Sequence, residues 1–199
     1  MIRNNSNTIN VKKFKFNLKF LKVVVEGNIG CGKSTFLEYY SNDADIELLS
    51  YRCNLYHIDS EMLKKIKMME RSLLSDRHVF IENLIAVQIL TNHEYTILDK
   101  WYNKIMESES VPIDVIIYLR ASPEKCLQRI RERSRPEEKG ISLNFLKKLH
   151  TLHDKWLLNT ANLVGTPTIY VIDAKRGKEY IKSIINSIKK NLINKTVKL

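Results

Sequence analysis

No stretch of the chain approaches about eighteen consecutive apolar residues, which excludes a membrane-spanning helix. The first residues lack the apolar core and small-residue cleavage site of a secretory signal. Cysteine is scarce: Cys31, Cys53 and Cys126 are odd in number and scattered, without metal-ligand spacing. That argues against a disulfide framework and for free thiols in a reducing compartment, read here as the cytoplasm. Acidic residues are missing from the first 25 positions, which hold six Lys or Arg. An acid-free basic start also suits an organelle presequence, but arginine and serine are sparse in it, so an ordinary basic arm is the better reading.

The formal charge of +11 is therefore uneven. Residues 175–199 hold eight Lys or Arg and one Glu, whereas the stretch between the two ends is slightly acidic. Basicity confined to the ends reads as solvated faces and a loose arm, and points away from nucleic acid as a partner. The apolar share of 44% is that of a globular chain.

Residues 1–19 are expected to form the basic arm, and 20–199 a single domain without internal repeats. Short apolar runs at 20–26, 46–50, 65–72, 113–120 and 168–174 read as strands. Helical periodicity covers 73–92, 94–110, 124–134, 142–160 and 178–192, with Pro123 at a helix start. Strands separated by helices predict an α/β fold with a parallel sheet covered on both faces.

The sharpest motif is Gly27-Asn28-Ile29-Gly30-Cys31-Gly32-Lys33-Ser34, followed by Thr35. It fits G-x-x-x-x-G-K-[ST] between a strand and a helix. Glycines permit the backbone shapes that turn successive N–H groups inward as an anion nest. Lys33 then reaches the β- and γ-phosphates, and the Ser34 hydroxyl holds Mg²⁺. Cys31 reads as a small side chain within the loop, with no histidine paired to it as for a nucleophile.

Three further segments bear on the same site. "MMERS" ends a strand in Glu70 and Arg71, where open α/β sheets place their ligands. "RIRERSRPEEKG" carries Arg129, Arg131, Arg133 and Arg135. On one helix these fan around the axis, but a helix end running into a Pro-containing loop can close several guanidinia over phosphates. "VIDA" ends the last strand at Asp173 and Ala174. His150, His153 and Asp154 share a helix but lack further ligands, and read as helix-face residues. Trp101 and Trp156 read as core or interface residues.

The segments "EGNIGCGKSTFL", "MERSLLSDRHVFIEN" and the stretch from "DVIIYLRASPEKC" to "HTLHDKWL" together resemble the deoxynucleoside kinase family. The resemblance runs from about residue 21 to 174 with one gap. It implies a P-loop NTPase-like three-layer sandwich with a five-stranded parallel sheet, and a homodimer packed through helices. It also implies transfer of a γ-phosphoryl group from ATP, with Mg²⁺, to the 5′-hydroxyl of a deoxynucleoside in DNA precursor salvage. By position, Glu70 assists the metal and Arg71 holds the 5′ region. Arg129, Arg133 and their neighbour Arg135 form a lid, Glu138 bonds the sugar 3′-hydroxyl, and Phe80 lies near the base. Asp173, Ala174 and Lys175 meet adenine.

The sequence departs from the family pattern after "ELLS". Tyr51 stands where the family's general-base Glu belongs and Arg52 where its Pro belongs, and about two pocket helices are missing. Loss of a general base costs about 10²- to 10⁴-fold in rate, and orientation by a full pocket is worth about 7–11 kcal/mol. Asp59 and Glu61 in the shortened connection are candidate replacement bases, although ordinary loop acids are the simpler reading. Two functions follow: a nucleoside kinase, or a nucleotide-binding pseudokinase with a regulatory or structural role. A kinase for another small phosphate acceptor is a third.

Overall fold

The computed structural model describes residues 20–49, 65–108, 113–159 and 166–196. The basic arm at 1–19 and the connection holding Tyr51, Arg52, Cys53, Asp59 and Glu61 lie outside the described residues. Five strands form one sheet: β1 (Leu21–Glu26), β2 (Ile46–Leu49), β3 (Ile66–Glu70), β4 (Val115–Arg120) and β5 (Thr168–Asp173). All pairings are parallel and the order is β2-β3-β1-β4-β5, so β1 is central and the order reverses around it.

A central parallel strand needs apolar side chains on both faces, which is why "VVV" occupies β1. Leu21, Val23 and Val25 pack on one side with Phe36 and Tyr40 of α1 (Lys33–Glu38) and its end. The same core takes Cys126 and Ile130 of α5 (Pro123–Arg133), and Ile185, Ile188 and Leu192 of α7 (Lys178–Thr196). On the other side Ile116 and Tyr118 meet Trp156 and Leu157 of α6 (Leu143–Asn159) and Leu74. The result is an α/β P-loop NTPase-like sandwich, as the sequence predicts.

The expected single helix over 73–92 is broken. Helix α2 (Leu73–Ser75) widens into a π-helical turn at Asp76–Ile81, and α3 (Glu82–Ala86) resumes α geometry. The helix then stops, and Gln88 takes a left-handed φ of 58°. Within the widened turn Arg77 meets three partners. It donates to Asp99 Oδ1 at 2.8 Å and Tyr95 OH at 2.6 Å, and also binds Glu82. Asp99 and Tyr95 belong to α4 (Asn92–Ser108), so this ion-pair group fixes α4 against the turn. A capping box starts α4 two residues earlier than its periodicity suggests: Glu94 N–H donates to Thr91 Oγ1, and Thr91 N–H to Glu94 Oε2.

Of the two tryptophans, Trp156 packs in the second core and stacks on His78 at 5.3 Å between centroids. Trp101 is exposed, along with Ile97, Leu98 and Met106 of α4. His153 is buried and donates from Nδ1 to Leu149 O.

Asp154 ties α6 to the sheet. It accepts from Tyr118 OH at 2.7 Å and from Arg120 Nε and Nη2 at 2.9 and 2.7 Å. Asp154→Ala leaves a half-buried guanidinium and a buried phenol without their acceptor. We expect a loss of about 2–4 kcal/mol, read as a lower denaturant midpoint at unchanged slope.

Candidate active site

The turn after β1 is built on backbone shapes that only glycine adopts easily. Gly27, Gly30 and Gly32 have φ of 141°, 78° and 103°. At Gly30 a Cβ would also lie 2.6 Å from Cys126 O, so the loop sits directly on α5. Cys31 is fully buried against this contact, and burial raises its thiol pKa, which keeps it unreactive.

Lys33 opens α1 and is 4% exposed. Its ammonium donates to Gly27 O at 3.1 Å and Asn28 O at 3.0 Å, and lies 3.8 Å from Glu70 Oε1. The next residue, Ser34, donates its hydroxyl to Glu70 Oε2 at 2.9 Å. The predicted metal pair is therefore assembled side by side. A hydroxyl and a carboxylate are the hard oxygen donors that Mg²⁺ takes from proteins when phosphates and water complete its shell.

Parallel pairing sets Val25 opposite Glu70, so the ends of β1 and β3 deliver the loop and the Glu70-Arg71 pair to one place. Arg71 itself has a left-handed φ of 62°. A non-glycine residue there stores on the order of 1–3 kcal/mol of strain, found mostly where structure around it fixes the backbone. Its N–H donates to Val25 O at 3.0 Å, and its guanidinium lies 4.6 Å from the centroid of Phe80.

The arginine run divides as helix geometry requires. Arg129 and Arg133 are one turn apart on α5. Arg129 donates to Cys31 O at 3.0 Å and to Ala174 O at 2.8 Å, which joins the loop to the end of β5. Arg131 lines a different surface pocket, which shares only Arg135 and Glu138 with the cavity walled by Glu70 and Arg71. Arg135 would lie off the helix face, but Ser134 caps α5 in a left-handed conformation, φ 51°. The chain turns there into a short 3-10 segment, Pro136–Glu138. Arg133 holds Glu138 bidentately through one guanidinium edge, Nε donating to Oε2 at 2.6 Å and Nη2 to Oε1.

One cavity of about 380 Å³ collects these groups. Its walls include Ile29, Gly30 and Gly32–Thr35 of the loop, Glu70 and Arg71, and Arg133, Arg135 and Glu138. A neighbouring cavity of about 480 Å³ shares the loop glycines, Thr35 and Arg133, and is walled further by Tyr39, Arg129 and Arg176. Asp173 and Lys175 line neither cavity; Lys175 N–H donates to Asp173 Oδ1 in a turn. Phe80 lies beside Arg71 rather than in the wall. Arg176, one residue beyond the stretch singled out in the sequence, lies over Tyr180 at 4.5 Å from its centroid.

Sequence reasoning missed Glu26. It ends β1, is fully buried, and accepts from Ser72 Oγ at 2.7 Å. Burial pushes its carboxyl up to about 7, against the pull of Ser72 and of the Lys33 charge. A carboxyl that holds its proton more tightly when folded contributes stability in full below about pH 4.5 and loses it as pH climbs through about 7. His153, lowered by burial to about 4, works the other way, losing its contribution as pH falls through the acid range. Comparing Glu26→Gln with wild type cancels the histidine. The variant should gain on wild type between about pH 5 and 8, by on the order of 3 kcal/mol, measured by chemical denaturation across that range.

A P-loop crossing from a central parallel strand into a helix, with Lys33, Ser34, a strand-end Glu70-Arg71 pair, Arg133 and Arg135 around one cavity, fits a P-loop kinase-like protein of the α/β class. The deoxynucleoside kinase family model matches residues 45–194, beyond the phosphate loop, and the chain belongs to that family. It is 32% identical over 190 residues to "Thymidine kinase 2, mitochondrial" of Homo sapiens, covering 79% of this chain and 72% of that relative. It is 45% identical over 98 residues to deoxycytidine kinase of Rattus norvegicus, covering 48% of this chain and 38% of the relative. Mitochondrial deoxyguanosine kinase of Xenopus laevis is 37% identical over 112 residues, covering 54% and 42%.

Proposed function

We propose that this protein transfers the γ-phosphoryl group of ATP to the 5′-hydroxyl of a deoxynucleoside. The observation that carries it is the single cavity walled by the phosphate loop, Glu70-Arg71 and the Arg133–Glu138 lid segment. The loop N–H groups and Lys33 hold the polyphosphate, and the Ser34–Glu70 pair holds Mg²⁺. Bound Mg²⁺ supplies charge neutralisation on the phosphate oxygens. Arg71 steadies the 5′ end of the acceptor, and Phe80 keeps Arg71 in place beside the base. Arg133 and Arg135 stabilise the charge of the transferring group, while Arg129 fixes the lid helix to the loop. Glu138 reads the sugar 3′-hydroxyl on release from Arg133. Arg176, in the wall of the neighbouring cavity, borders the adenine, and Asp173, Ala174 and Lys175 form the turn that carries it.

The new O–P bond forms at the 5′-oxygen as the bond from the γ-phosphorus to the β–γ bridging oxygen breaks; ADP leaves, and the hydroxyl proton passes to water or to the transferred phosphoryl group. The protein does mostly positioning and charge stabilisation, with little covalent work. We also propose a homodimer through α4, whose Ile97, Leu98 and Trp101 lie exposed on one face at helical spacing. Described helices include none long and apolar enough to cross a membrane.

The test is direct. Purified protein, radiolabelled ATP, Mg²⁺ and each deoxynucleoside in turn should yield labelled monophosphate. ATP binding with no transfer to any nucleoside would overturn the proposal in favour of a pseudokinase.

A further inference from the structure

Glu26 has no part in the chemistry above, yet it lies at the root of the site. It is the last residue of β1, directly before Gly27, and shares a strand face with Lys22 and Val24. Its carboxyl is fully buried, and the second oxygen, Oε2, has no hydrogen-bond partner among the described residues. The Arg71 guanidinium stands close enough for its charge to act on this carboxyl, and Arg71 Nε is likewise buried with no hydrogen-bond partner among the described residues.

The backbone around Arg71 explains why an acid would be kept there. Arg71 is left-handed without being glycine, so something must hold it. It is pinned from both sides by consecutive residues of β1. Its own N–H donates to Val25 O, and the hydroxyl of the next residue, Ser72, donates to Glu26 Oε1. Ser72 is then closed into the following helix by reciprocal bonds with Ser75: Ser72 N–H donates to Ser75 Oγ, and the Ser75 hydroxyl to Ser72 O. Removing the Glu26 bond frees one side of the strained turn, and the residues on it, Glu70 and Arg71, are cavity walls.

We infer that Glu26 is a positioning residue: by accepting the Ser72 hydroxyl it locks the left-handed turn that sets Glu70 and Arg71 in the walls of the active-site cavity. This rests on the kinase reading for its catalytic consequence, but not for its structural one.

The experiment uses the full chain. Glu26→Ala is expected to lower kcat by about 10- to 100-fold, as for a small misplacement of positioned groups, with the KM for ATP within about twofold of wild type. Glu26→Gln, whose amide oxygen still accepts from Ser72, should return kcat to within about threefold of wild type. Ser72→Ala, its fold checked by a thermal melt, should lose kcat in the same direction. The Glu26→Ala, Ser72→Ala double variant should be no worse than its worse parent. A second readout needs no turnover. The Arg71 Nε–H signal in ¹⁵N-correlated NMR, identified by its loss in Arg71→Lys, should be single and sharp in wild type and Glu26→Gln, and broadened in Glu26→Ala and Ser72→Ala. A wild type that transfers no phosphoryl group overturns the kinase reading and leaves the NMR comparison to decide the positioning role. Unchanged Arg71 signals in both alanine variants, wild-type kcat in Glu26→Ala, or multiplicative losses in the double variant would each overturn it.

Discussion

Lys33→Ala should lower phosphoryl transfer by about 10²- to 10³-fold, the usual loss when one prepositioned charge is removed from a transition state whose stabilisation is electrostatic. The side chain is suited to that work because it is almost wholly buried and its ammonium is already held at the loop. Gly27 O, Asn28 O and Glu70 fix its position within 4 Å, and no long swing from solvent is needed. The loss should fall mainly on kcat. The loop N–H groups remain to bind polyphosphate, so ATP affinity should weaken less than turnover. Lys33→Met is the companion variant, since it keeps most of the buried volume while deleting the charge. If transfer survives in both variants with wild-type kcat, the loop is not the seat of catalysis. A thermal melt at matched pH separates lost chemistry from lost fold.

The second large effect is on stability. At Gly27 φ is 141°, and an added Cβ would lie 2.5 Å from Leu119 O and 2.8 Å from Cys31 Sγ. The first of these is backbone of β4, the neighbour of β1, so relief requires the two central strands to part or the loop to rebuild. Both the strained dihedral and the collision act together. Gly27→Ala should therefore destabilise by about 3 kcal/mol or more. In a chain of this size that lowers Tm by roughly 6–12 °C. Gly32→Ala is the control: its φ of 103° is also left-handed, but its Cβ would meet only Arg129 Nη1 at 4.0 Å. It should cost distinctly less. Equal losses at both positions would show that contact with β4 is not what matters at Gly27.

Much of this was legible in the residues. Strand-length apolar runs gave the sheet within one or two residues, because a parallel strand buried on both faces cannot be written otherwise. The phosphate loop was legible because left-handed dihedrals demand glycine. The arginine run was half legible: helical spacing pairs Arg129 with Arg133 and sets Arg131 aside, but only the reversal at Ser134 brings Arg135 into the cavity that Arg133 lines. The break in 73–92 was not legible, since apolar spacing reports which side chains face a core and not whether each N–H skips four residues or five. Glu26 escaped notice for a related reason. Its partner Ser72 is 46 positions away, and only strand register makes them neighbours. Arg176 lay one residue past the stretch chosen, where a turn rather than a strand decides the direction of the side chain.

The cavity walls carry one more consequence. Lys33, Arg71, Arg133 and Arg135 outnumber Glu70 and Glu138, and next door Arg129 and Arg176 outnumber Glu132. On a rim with such an excess of positive charge, an incoming polyanion is drawn from a distance rather than met by chance. Its rate of capture should therefore drop as ionic strength rises, while the escape rate, governed by short contacts inside, changes far less.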